Sequence, residues 1–139
     1  MKKKTKKKTV WAWVYSPPKA TINDQIKREV EEKAEKILAE WRKIHIKEPP
    51  KDHDFNYVVE FYGKWHSRYF YFCAKYACPS PRAISPFFEA KFTRMEYVGD
   101  GRFNLAYMRH TERWCETEQG LTLDEAIKSI ETEIWYQPY

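Results

Sequence analysis

Apolar side chains fall three and four residues apart as far as Ile44 and two apart from Phe55 onward. That change of period restricts the chain to a helix followed by a sheet, because a helical stripe and a half-buried strand demand different spacings. Ile22, Ile26, Val30, Ala34, Ile37, Leu38, Trp41 and Ile44 form one stripe, which predicts an amphipathic helix over 21–43. The opposite face carries Glu29/Lys33, Glu32/Lys36 and Arg28/Glu32, charge pairs four apart that suit a solvated surface. Glu48-Pro49-Pro50 closes the region.

Alternation then predicts four strands: 55–62 with Gly63 near a turn, 68–77, 87–98, and 102–110 with an extension toward Trp114. A proline-dense loop over 78–86 separates the second and third, and Gly99-Asp100-Gly101 makes a hairpin turn between the third and fourth. Thr122-Leu123-Asp124-Glu125 matches a capping box and predicts a closing helix that buries Leu123, Ala126, Ile127, Ile130 and Ile134. The tail from Trp135 is expected to pack on the sheet. The expected fold is α+β: a four-stranded antiparallel meander with the N-terminal and C-terminal helices on one face, in the order α-β-β-β-β-α. Before it lie a disordered lysine-rich leader over 1–9 and an alternating stretch, Val10 to Tyr15, that reads as a short edge strand or an arm laid on the core and ends at Ser16-Pro17-Pro18. Residues 10–139 are expected to form a single domain.

The charge sits unevenly. Lys2, Lys3, Lys4, Lys6, Lys7 and Lys8 crowd the leader, and setting those six aside leaves 19 of the 25 basic side chains against 20 acidic ones. Such a tail can hold polyanions through phosphate neutralisation and counterion release. It lacks the aliphatic run of a secretory signal, and no apolar stretch approaches the roughly 20 residues of a membrane span. Three cysteines, an odd number, point away from a disulfide framework and toward the reducing cytosol.

In a meander, the starts of the first and third strands and the ends of the second and fourth share one end of the sheet. His53, Cys78, Arg82, Arg109, His110, Arg113, Trp114 and Cys115 are expected to gather there. Cys78, Cys115, His110 and His53 have zinc-ligand chemistry, but Cys73-x4-Cys78 and His110-x4-Cys115 are not tight knuckle spacings, and small packed thiols explain them better. Glu89-Ala90-Lys91 is similar to the E-x-K of metal-dependent nucleases. Residues 68–86 contain no acidic side chain to complete the oxygen ligands, so a pair of surface charges is the reading it supports. No nucleophile elbow or glycine-rich phosphate loop exists. No catalytic residue, metal ligand or cofactor is therefore assigned.

Nucleic-acid binding draws on the most features. The lysine leader adjoins Trp11 and Trp13, Tyr69, Tyr71 and Lys75 share one face of the second strand, and Arg82, Arg109, His110, Arg113 and Trp114 mark the rim. Aromatic rings on a sheet can stack bases while basic groups follow the backbone. The expected function is a non-enzymatic binding domain for nucleic acid or another polyanion. A protein-interaction or homodimerisation module is the first alternative and a small metal-dependent enzyme the second; no membrane partner is expected.

Several stretches resemble a small family of uncharacterised bacterial domains of similar length and element order. They are Phe88-Glu89-Ala90-Lys91-Phe92, Tyr97-Val98-Gly99, the run from Gly101 through Arg102-Phe103-Asn104-Leu105-Ala106-Tyr107-Met108-Arg109-His110 to Thr111, and Trp114. Leu121 to Ile127, Asn56-Tyr57 and Tyr69-Phe70-Tyr71-Phe72 add to it. The resemblance implies the fold and a bacterial cytosolic setting; it carries no activity, cofactor or catalytic residue.

Overall fold

The structure, a computed structural model, describes residues 4–6, 13–15, 21–52 and 54–138. Two short strands, β1 (Lys4–Lys6) and β2 (Trp13–Tyr15), pair antiparallel in a ladder of their own. The expected disordered leader thus has three residues in a strand, and its remainder lies outside the described residues. The helix α1 (Asp24–His45) starts at Asn23, whose side chain accepts from the Ile26 amide, and it buries Val30, Ala34, Ile37, Leu38 and Trp41. Ile44, expected on the buried stripe, is 48% exposed; in the last turn it is His45 that meets Phe61 of the sheet.

Five strands follow: β3 (Tyr57–His66), β4 (Tyr69–Ala77), β5 (Phe87–Gly99), β6 (Arg102–Met108) and β7 (Trp114–Thr122). They make one antiparallel sheet in the order β3-β4-β5-β6-β7. The sheet is thus a meander with one strand more than expected. The segment Trp-Cys-Glu-Thr-Glu-Gln-Gly-Leu-Thr carries little apolar alternation because, as an edge, β7 buries only part of one face. A second correction concerns Gly63. It lies within β3 rather than at a turn, and the Phe70 ring fills the space a side chain would take. The β3–β4 turn falls instead at Ser67, with φ of 57°.

The closing helix α2 (Leu123–Thr132) is capped reciprocally, as the capping box predicts. Glu125 N–H donates to Thr122 Oγ1 at 3.2 Å, and Thr122 N–H to Glu125 Oε1 at 2.8 Å. Both helices lie on one face of the sheet. Their buried residues join Phe61, Phe70, Phe72, Met95, Phe103 and Leu105 in one core, as expected of two elements with one apolar stripe each. The C-terminal turn Ile134–Tyr136 docks there too. Thr93 Oγ1 donates to the Tyr136 carbonyl at 2.9 Å, and Tyr136 OH donates to Glu118 at 2.9 Å; burial pushes its pKa up to about 12. Ile134, expected inside, is 79% exposed, because the helix ends at Thr132 and the turn presents Tyr136 inward instead.

Candidate nucleic-acid interface

Strand alternation leaves a second face of the sheet on which none of the described helices packs. Tyr62 and Lys64 of β3, Tyr69, Tyr71, Cys73 and Lys75 of β4, and Glu89 and Lys91 of β5 point to it. The registers Tyr62↔Cys73↔Lys91 and Lys75↔Glu89 align them across the strands. Strict alternation from Lys91 would turn Arg94 inward. A bulge prevents this: β4 pairs Phe72 with Thr93 and Cys73 with Lys91, so Phe92 is an extra residue, and Arg94 emerges opposite Tyr71.

On this face the aromatic rings and cations interleave. The rings of Tyr69 and Tyr71 stack with centroids 6.1 Å apart, and Trp114, the first residue of β7, lies 5.6 Å from Tyr71. Arg94 places its guanidinium 5.0 Å from the Tyr69 ring and 4.9 Å from the Trp114 ring. Lys91 Nζ sits 4.9 Å over Tyr71, Arg68 lies 4.8 Å over Tyr69, and Lys75 Nζ lies 4.3 Å over Phe87. Such contacts orient a cation without neutralising it. The floor is made of small side chains: Cys73 is fully buried, and Ala106, opposite Arg94, is 1% exposed.

Two of the acidic side chains here, Glu89 and Glu96, are paired with cations. Glu89 accepts from Tyr62 OH and from Lys64 Nζ at 3.3 Å, and these bonds hold its carboxyl below the usual carboxylate range. Glu96 takes Arg68 Nε at 3.0 Å. Glu116, at the β7 edge, accepts from Gln119. Lys75, Lys91 and Arg94 form no ion pair within 4 Å among the described residues, although Lys91 acts on Glu89 through space, and Arg94 Nε is buried without a hydrogen-bond partner.

The expected rim is divided. Pairing with β4 begins at Phe87, but pairing with β6 begins only at Thr93, a stagger of roughly 20 Å at about 3.3 Å per residue. Arg82 and Cys78 therefore line a groove of about 420 Å³ at the far end of the sheet, with Ile84, Phe87 and Phe88. Arg109, His110 and Arg113 occupy the exposed β6–β7 turn, closed by the Arg109 N–H on the Arg113 carbonyl at 2.9 Å. Of the rim residues, Trp114 joins the aromatic face. Lys4 and Lys6 fall in β1, while Lys2, Lys3, Lys7 and Lys8 lie outside the described residues, as does His53.

Among the described residues no group of three His, Cys, Asp or Glu side chains is placed to hold a metal ion. Cys73 is not a ready nucleophile either, since burial pushes its thiol up to about 12. Arg68, Lys91 and Arg94 are among the members of this face that sequence reasoning missed, with Tyr62 and Lys64. Lys91 stood in view only as half of the E-x-K pair.

The described residues make an α+β domain with both helices on one face of an antiparallel sheet and no described helix on the other. The chain belongs to the domain of unknown function family DUF3024, whose model matches residues 11–135. No curated protein and no solved structure matches it.

Proposed function

We propose that this is a non-enzymatic binding domain for nucleic acid, using the sheet face that no described helix covers together with the lysine tail and the Arg109–Trp114 turn. The observation that carries the reading is the junction of Trp114 with Tyr69, Tyr71 and Arg94 on one face, where unneutralised cations alternate with rings. Stacking platforms flanked by cations suit bases and phosphates together. The rest of the chain is near neutral, and pairing Glu89 with Lys64 and Glu96 with Arg68 uses one base for each acid, so the local excess rests on Lys75, Lys91 and Arg94. The odd cysteine count goes with a reducing, cytosolic setting, and among the described residues no helix is long and apolar enough to cross a membrane.

Retention on a single-stranded polyanion is expected to fall steeply with salt. If all six leader lysines engage phosphates, deleting residues 2–8 makes the log–log salt slope shallower by about 4. An unchanged slope and affinity would remove the tail from the interface, and failure of the full chain to bind any nucleic acid at low salt would end the reading.

A protein-interaction or homodimer module remains the second reading, favoured by one feature. Residues 87–92 of β5 pair with β4 on one side and with no described strand on the other, and Ile84, Phe87 and Phe88 beside them are exposed. Light scattering showing one monomer mass across a wide concentration range would exclude the homodimer.

A further inference from the structure

We infer that the aromatic sheet face takes single-stranded nucleic acid with its bases splayed apart, in preference to a duplex; this inference rests on the nucleic-acid reading above. Three observations point to it. The first is spacing. Consecutive rings on the face stand 6.1 Å and 5.6 Å apart, whereas stacked nucleotides repeat at about 3.4 Å along a strand. Since Tyr69 and Tyr71 stack on each other, a base meets only the ring surface this cluster leaves open, and to reach it a base must leave its own stack, which a closed duplex does not allow.

The second is shape. Base edges in a duplex are reached by an element that enters a groove, such as a helix or a two-stranded ribbon. Tyr69, Tyr71 and Arg94 belong instead to β4 and β5, interior strands of a five-stranded sheet, and present a broad platform. A platform of this kind reads unpaired bases by stacking on ring and guanidinium planes.

The third is Arg94. It is held between two ring faces rather than by a carboxylate, and its Nε is buried without a partner. A half-buried charge ordinarily finds an opposite one. With Glu96 committed to Arg68, the complementary group is an anion brought by the ligand. A backbone phosphate fits the terminal N–H groups of the guanidinium, and Lys91 stands by for a neighbouring one. Tyr71 and Trp114 then lie where the bases attached to those phosphates would stack.

The test compares three probes on the full chain at one fixed salt concentration. They are a labelled oligothymidylate, an abasic strand with the same number of phosphates, and a hairpin duplex with the same number of phosphates. The abasic strand meets the lysine tail with the charge density of the oligothymidylate, so that ratio isolates the sheet face; the duplex packs its phosphates about twice as densely, which favours it at the tail, so its weaker binding is the stricter comparison. The oligothymidylate is expected to bind about tenfold or more tightly than either competitor, the effect of stacking one or more bases. Tyr71→Leu and Trp114→Leu, which keep apolar bulk but remove the ring, should bring the oligothymidylate-to-abasic ratio toward one. Equal affinity for the abasic strand would show that bases are not read. Equal or tighter duplex binding would overturn the single-strand inference and leave the broader nucleic-acid reading standing. Binding of none of the three would overturn both.

Discussion

Trp41→Ala is expected to cost about 3–5 kcal/mol of folding stability, the range for emptying a large aromatic site. Trp41 is 3% exposed, and its ring meets Phe61, Phe72 and Phe92 at centroid distances of 6.1, 5.6 and 5.1 Å. Its Nε1 also donates to Gln137 Oε1 at 3.1 Å, so one side chain joins α1, the sheet and the C-terminal tail. Removing it leaves a cavity that three rings on three strands cannot collapse to fill, and it frees an amide that orients the tail. Gln137 in turn donates to the Ile130 carbonyl, so the loss spreads to the end of α2. Urea unfolding should show a lower midpoint with little change in slope. A loss below about 1 kcal/mol would contradict the packing described for α1. Trp135→Ala is the contrast: that ring is 43% exposed and its removal should change little.

Gly63→Ala is expected to destabilise by about 1–3 kcal/mol, although propensity alone argues the other way. Glycine in a strand interior costs roughly 0.5–1 kcal/mol relative to alanine, so an unobstructed site would gain by the change. Here a methyl group at residue 63 would lie 2.7 Å from Phe70 Cε1 and closer still to its Cζ. Phe70 cannot swing away, being 3% exposed and wedged against Trp65 and Phe72 at 5.0 and 5.3 Å. Sterics therefore set the sign. Pairing Gly63→Ala with Phe70→Leu should recover part of the loss as a coupling energy in a double-mutant cycle. A neutral or stabilising Gly63→Ala would contradict the close approach.

What was legible in the sequence follows from which physical signals act locally. Helix α1 and the capping box of α2 are written in near-neighbour spacing, so both were readable, as was the β5–β6 hairpin from Gly99-Asp100-Gly101. The fifth strand was not, because an edge strand with little to bury carries no strong alternation. Gly63 looked like a turn because a glycine's reason for being there can sit seven residues away, in Phe70. The candidate site was readable in part. Tyr69, Tyr71 and Lys75 fall on one face by simple parity, and Trp114 was named among the rim residues. Arg94 joins them only through the bulge at Phe92, which reverses parity and leaves no mark in the residue types. The rim was misdrawn for a related reason. Strand order sets which ends point the same way, but register decides whether they stand level, and β6 begins pairing well inside β5.

Chemical-shift mapping during titration of oligothymidylate into the isotope-labelled full chain tests the binding surface most directly. The largest changes are expected at the amides of Tyr69, Tyr71, Lys91 and Arg94 and at the Trp114 indole, with α1 and α2 unaffected. Changes confined to the lysine tail or to the helical face, with the aromatic face silent, would contradict it.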